Sequence, residues 1–152
     1  MVQRRLNLGC GRDYKAGWDN WDRGDTKCDL KIDITAEEWP VPDNYYNQIY
    51  CSGVLEQIEK NEDFVFVLNE CWRVLKKKGS LTIIVPSARY SNAFKDPFDV
   101  RFFTLETFDY INSEENEYKL YGQVYGFKPW VIRSQFRNNN GIINIVLQKN
   151  ET

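Results

Sequence analysis

The chain has 152 residues, a formal charge of −2, and 42% hydrophobic and 28% charged residues. That is the balance of one globular domain spanning 1–152, with no broad attraction to nucleic acid or to anionic membranes. No apolar run approaches the roughly 18 residues of a membrane span and no leader precedes Asn7, so a cytoplasmic protein is expected. There is no histidine, and Cys10, Cys28, Cys51 and Cys71 form no C-x-x-C pair; a metal site is not expected, and the thiols read as reduced.

In chain order, "RRLNL" is a short first strand that ends at Gly9. "WDNWD" is a second strand with Asp22 at its end, and "CDLKIDI" alternates as a third, with Leu30, Ile32 and Ile34 on one face. "EEWPVPDNYY" is a loop, and Asn47–Ser52 is a short buried fourth strand. Residues 62–78 carry the clearest helical pattern, with Phe64, Leu68, Cys71, Trp72 and Leu75 on one face. Asn61 is its expected cap, Lys76–Lys78 its basic C-terminus and Gly79 its left-handed stop. "SLTIIVP" is a buried parallel-type strand, and Thr104–Ile111 a short capped helix. A strand at Pro129–Arg137, an Asn140-Gly141 turn and "IINIVLQK" form a closing hairpin.

This order implies an α/β fold: a Rossmann-like, mostly parallel sheet with a C-terminal antiparallel hairpin and helices on both faces. It is a minimal version, with a shortened first helix and no N-terminal lid. Ligands of such sheets bind at the carboxyl ends of the strands, which here hold Gly9–Gly11, Asp22, Asp33, Ser52–Gly53 and Pro86–Ser87. A carboxylate ending the second strand can accept from both ribose hydroxyls, and one ending the third from an exocyclic amine. A dinucleotide site needs G-x-G-x-x-G opening a helix that holds the pyrophosphate. Tyr14 occupies the third glycine position, and the gap from Gly11 to Asp22 leaves little room for a helix. An adenosine-containing cofactor without pyrophosphate fits better.

From Arg5 to Ile111 the chain resembles the class I S-adenosylmethionine-dependent methyltransferases, in particular compact members with an "LNLGCG…GW.N.D" start. "LNLGCG", "GWDNWD", "CDLKIDIT", "PDNYYNQIYCSGVLEQI", "ECWRVLKKKGSLTIIVPS" and "DPFDVRFFTLETF" follow the family's segments in order. The resemblance implies S-adenosyl-L-methionine as cofactor. It places Asn7, Gly9, Cys10 and Gly11 in the first cofactor loop, Asp22 on the ribose, Asp33 on the adenine amine, Ile34 against the ring, and Ser52 and Gly53 along the methionine end. The chain departs from the pattern at Asn7 and Asn47, where acidic residues are common, and at Gly53, Gln57 and Asp99, where histidine is common.

Methyl transfer is an in-line displacement with a neutral leaving group, so alignment carries most of the acceleration and a base is optional. Asp99 is the candidate base, with Asp96 and Tyr90 behind it; Arg89, Tyr90 and Arg101 are candidate acceptor contacts. The DNA-methylating signatures D/N-P-P-Y/F and P-C are absent after the fourth strand, which argues against those DNA substrates. The compact members that the chain resembles often lie with sugar or cell-surface metabolism, so the resemblance implies a small or saccharide-like acceptor. The cleft is expected to be open, covered by substrate, by residues 96–104, by a second copy or by a partner subunit. The rival readings are a degenerate member serving as a cofactor-binding or partner subunit, and a nucleotide-dependent oxidoreductase.

Overall fold

The computed structural model describes residues 2–151. Seven strands run in sequence as β1 (Arg5–Leu8), β2 (Asp19–Asp22), β3 (Leu30–Lys31), β4 (Tyr46–Ser52), β5 (Leu75–Pro86), β6 (Trp130–Arg137) and β7 (Ile142–Lys149). In the sheet they lie in the order β3-β2-β1-β4-β5-β7-β6. The first five pair in parallel, and β7 joins β5 and β6 antiparallel. The chain therefore leaves β1 toward one edge and returns at β4 to build the other. The crevice at the carboxyl ends of β1 and β4 is the switch point where ligands bind in such sheets.

Register separates the two faces. Leu6, Ile49, Leu81 and Leu147 stand in one row, and Leu8, Cys51, Ile83 and Ile145 in the next but one. All eight are buried and share a core with Val67, Leu68 and Cys71 of the helix α1 (Asn61–Val74) and with Phe103 and Phe108. Each fully buried side chain of this kind contributes about 1.5–3 kcal/mol. Between those rows lie Asn7, Tyr50, Thr82 and Val146, none of which belongs to the core.

Helical cover, expected on both faces, is found on one among the described residues. The links β1–β2, β2–β3 and β3–β4 hold no helix. In place of a first helix, residues 10–18 fold over β1 and β2 as turns. Asn20 fixes them: its Nδ2 donates to the carbonyls of Lys15 and Trp18 (both 2.9 Å), and its Oδ1 accepts from the Lys15 amide (2.9 Å). Asn7 completes the stitch by donating to Asn20 Oδ1 (2.9 Å).

The helix ends earlier than its pattern suggests. α1 stops at Val74, its first residue is Asn61 and its cap is Lys60. Lys76–Lys78 belong to β5, the left-handed residue is Lys78 (φ 62°), and Gly79 is needed for close approach, since a Cβ there would stand 2.7 Å from the Lys76 carbonyl. Besides Arg73 in the last turn, the cation at the helix end is Lys149, from the last strand. Its buried ammonium donates to the Leu75 carbonyl (2.8 Å) and Asn44 Oδ1 (3.0 Å) and lies over the Trp72 ring. Tertiary structure thus adds a C-terminal charge at the place where the sequence offered Lys76–Lys78.

The third strand is reduced to two paired residues. The Thr104–Ile111 segment is a 3-10 helix, Leu105–Tyr110, with a reciprocal Thr104–Thr107 cap. A helical stretch absent from the sequence reading runs through a π turn, Tyr118–Gly122, into α2 (Gln123–Tyr125).

Candidate functional site

A cleft of about 450 Å³ opens at the predicted switch point. It is lined by Gly9 and Gly11 after β1, Asp22 and Arg23 after β2, Asp33–Thr35 after β3, and Gly53 after β4. Six of the residues singled out in the sequence (Gly9, Gly11, Asp22, Asp33, Ile34 and Gly53) therefore converge on one space.

The backbone explains the glycines. Gly9, Gly11 and Gly53 have φ of 66°, 51° and 71°, where other residues are strained. A Cβ on Gly11 or Gly53 would meet nothing within 4 Å, so both present bare backbone to open space; at Gly9 it would collide with Val54 Cγ2. Gly9→Ala is accordingly expected to cost about 2 kcal/mol, through strain plus overlap, and Gly11→Ala only about 1 kcal/mol. Thermal unfolding of the two variants checks this; equal losses would show that the Val54 contact does not matter.

The two carboxylates differ in setting. Asp22 Oδ2 accepts from Thr26 Oγ1 (2.8 Å) and the Gly24 amide (3.2 Å), which holds the side chain at the cleft edge. Asp33 Oδ1 accepts from the Thr35 amide (3.0 Å) and hydroxyl (2.8 Å), and these donors hold its carboxyl below the usual range. Thr35 thus keeps Asp33 ionised and aimed.

The opposite wall comes from the exit of the fourth-strand segment, of which the sequence singled out Gln57 only as a departure from the family pattern. The 3-10 turn Leu55–Gln57 and the start of α1 bring Val54, Gln57, Ile58, Glu59, Lys60 and Asp63 to the cleft. The one signal available was position, immediately after the strand-exit glycine. Charge in the cleft is lopsided, with Asp22, Asp33, Glu59 and Asp63 against Arg23 and Lys60. Such a lining disfavours a pyrophosphate and suits a cationic or neutral ligand.

Other candidates lie elsewhere. Asn7 is buried beneath the 10–18 turns, and its amide also donates to the Asp13 carbonyl (2.6 Å). Cys10 is buried at the same turn, its thiol pushed up by burial and then by Asp22. Ser52 is half-buried at the end of β4, outside the lining of the cleft. Arg101 Nε donates to the Ile58 carbonyl (3.0 Å) and Nη2 to Asn61 Oδ1 (2.9 Å), with the guanidinium over the Phe64 ring. It stands at a second, more apolar cavity of about 760 Å³ between α1 and the 107–127 region. Tyr90 packs beneath Gly141 and Arg137 at the hairpin turn, and Arg89 follows β5 on the same side. Asp99 accepts from Gln57 Nε2 (3.5 Å), so it adjoins a residue of the cleft wall without lining the cleft itself. All four cysteines are free, and among the described residues no cluster of acids and thiols is arranged to hold a metal.

Residues 17–83 match the family described as the methyltransferase domain. No curated protein sequence matches significantly. Among solved structures, a SAM-dependent methyltransferase from Archaeoglobus fulgidus superposes at TM-score 0.66 and 16% identity, over 97% of this chain and 86% of that one. The N-methyltransferase NodS from Bradyrhizobium japonicum WM9, solved with S-adenosyl-L-homocysteine, gives 0.63 and 11%, over 99% and 79%. A Haloferax volcanii complex of the Trm112 methyltransferase activator with a putative methyltransferase gives 0.63 and 14%, over 99% and 84%. The chain therefore carries the Rossmann-like fold of the class I S-adenosylmethionine-dependent methyltransferases, and its residues 17–83 match the methyltransferase domain family in sequence.

Proposed function

We propose that the cleft binds S-adenosylmethionine and that the chain transfers its methyl group to a small or saccharide-like acceptor. The observation that carries this is the convergence of bare backbone at Gly11 and Gly53 with two fixed carboxylates in an acid-rich cleft. S-adenosylmethionine fits that donor set: it is cationic, has ribose hydroxyls and an adenine amine, and lacks a pyrophosphate. When bound, it supplies an electrophilic methyl on a sulfonium. Asp22 would accept from the ribose, Asp33 from the adenine amine with Ile34 against the ring, and the Gly9–Gly11 and Gly53 backbones would border the methionine portion. The chain's main contribution is then alignment of acceptor and methyl, worth roughly 7–11 kcal/mol in a well-built site.

Calorimetry with S-adenosylmethionine and S-adenosylhomocysteine tests this. Asp22→Ala removes charge-assisted hydrogen bonds worth about 1.5–3 kcal/mol each, so affinity is expected to fall about 10–100-fold. Binding of NAD with silence toward both sulfur compounds would overturn the assignment.

A second reading, a partner subunit built on the same fold, is favoured by the sheet face beyond the 10–18 turns, where Ile84 and Val146 are half-buried and Phe136 is exposed. The Haloferax neighbour, solved with an activator, supports it. Sedimentation of the isolated chain distinguishes a self-sufficient monomer from a protein that pairs through this face.

A further inference from the structure

Glu56 is the buried group that the cofactor reading leaves unused. It lies in the turn Leu55–Gln57 and is 6% exposed, and its Oε1 has no hydrogen-bond partner. Its main-chain carbonyl accepts from the amides of Val100 (2.9 Å) and Arg101 (3.0 Å), which fastens residues 96–101 over the turn. The acidic groups that act on its carboxyl are Asp99 and Asp96 from that segment; Cys51 of β4 lies close enough to feel it from below. No ion pair reaches it among the described residues. Arg101, whose amide docks on the Glu56 carbonyl, directs its side-chain hydrogen bonds to Ile58, Glu59 and Asn61, and Lys60, the nearest cation in sequence, lines the cleft without an ion pair to Glu56. Its own main-chain amide donates to the carboxyl group, but a buried carboxylate normally also has a cationic or hydrogen-bonding partner from elsewhere in the folded chain.

The same segment carries an apolar surface. Phe94 and Phe102 stack at 4.6 Å, and Phe98 and Val100 are exposed. Asp99 stands in the chain between exposed Phe98 and Val100, and a carboxylate within an exposed apolar segment is the chemistry that receives an ammonium group on an apolar body. Gln57 joins the two regions, lining the cleft while donating to Asp99.

We infer that the methyl acceptor is an amine on an apolar body, received by Asp99 and Glu56 at the 96–101 segment. The inference rests on the cofactor assignment above. An ammonium cannot form a bond to carbon until it loses a proton. Glu56 takes that proton: an N–H bond breaks, an O–H bond forms on the carboxylate, and the electron pair stays on nitrogen. With the sulfonium methyl in place, that pair makes the N–C bond as the S–C bond breaks. The S–C pair remains on sulfur, and the positive charge passes to the methylated nitrogen. Burial, reinforced by Asp99 and Asp96, raises the Glu56 carboxyl to about 7, which suits proton exchange near neutrality.

The test uses the full chain saturated with S-adenosylhomocysteine, with benzylamine and benzyl alcohol as probes. Glutamate side chains are labelled with ¹³C at the carboxyl, and the Glu56 signal is the one lost in Glu56→Gln. Benzylamine is expected to bind at least about tenfold more tightly than the alcohol, to lower the titration midpoint of the Glu56 signal, and to lose about tenfold in affinity in Asp99→Asn. With S-adenosylmethionine, Glu56→Gln is expected to cut turnover on benzylamine about 10²-fold while binding of S-adenosylhomocysteine changes less than twofold. Asp99→Asn, at a partly exposed site, keeps the test open if Glu56→Gln misfolds. Normal binding of S-adenosylhomocysteine with no preference for the amine, or with an unmoved Glu56 titration, overturns the amine assignment alone. Failure to bind S-adenosylhomocysteine overturns the cofactor assignment and this inference with it.

Discussion

Glu70→Ala is expected to destabilise the fold by about 3–5 kcal/mol, the range for breaking a buried ion pair by removing one partner. Glu70 is buried on α1 and binds two elements at once. Its Oε1 accepts from the Trp39 amide (2.8 Å) and Arg73 Nη2 (2.9 Å), and its Oε2 from Arg73 Nε (2.7 Å). Arg73 in turn donates to the carbonyls of Val41 (3.0 Å) and Trp39 (3.1 Å) and to Asp43 (3.0 Å). Removing the carboxylate leaves the mostly buried guanidinium with the exposed Asp43 and Glu38, and leaves the Trp39 amide unpaired. For a domain of this size the loss corresponds to roughly 10 °C in Tm, readable by circular dichroism. Trp39 Nε1 also donates to the Ile34 carbonyl (2.9 Å), so the damage reaches the cleft wall that holds Asp33. Glu70→Gln preserves an acceptor for Trp39 and is expected to lose about half as much. A loss below about 1 kcal/mol for alanine would mean that the network contributes no more than a surface pair.

Parts of this architecture can be read directly from residues, and the reasons are local. Gly9 and Gly11 are legible because only glycine takes positive φ cheaply after a strand. Asp22 is legible because it ends a short strand and Asp33 because it follows the alternating third run, and the hairpin turn because Gly141 takes the positive φ (77°) that closes the four-residue loop 138–141. What stayed hidden depends on partners distant in sequence. Lys76–Lys78 continue a helical pattern, yet the strand begins at Leu75 because β4 pairs with it and Lys149 binds its carbonyl from 74 residues away. The Tyr118–Tyr125 stretch leaves Leu120, Tyr121, Val124 and Tyr125 exposed, so no buried stripe announces it. Glu56 has no local sequence signal that marks it as buried. Its burial comes from residues 100–101 docking on its backbone, a contact across more than 40 positions that no local pattern contains.

That burial makes the second large effect a pH-dependent one. Glu56→Gln is expected to be more stable than the parent chain by roughly 3 kcal/mol at about pH 9, with the difference vanishing near pH 4. The Glu56 carboxyl is raised from its ordinary 4.5 to about 7, by burial first and then by the neighbouring Asp99 and Asp96. A carboxyl raised on folding binds its proton more tightly in the folded chain. Its stabilising contribution is complete below the unfolded value and is lost as pH rises through the folded one. The parent chain should therefore weaken between about pH 5 and pH 8 by an amount that glutamine, which carries no proton to lose, does not share. Asp99 is raised in the same direction and remains in both proteins, so the difference between them isolates Glu56. Paired urea unfolding across this range measures it. A constant difference at every pH would show that Glu56 meets a compensating charge in solution, and a difference growing toward acid would reverse the sign of its shift. An ionisable group that weakens its own fold at neutral pH, next in the chain to a residue of the cleft wall and under the 100–101 backbone, has a reason to be there that packing does not supply; glutamine has a similar shape and would carry no buried charge.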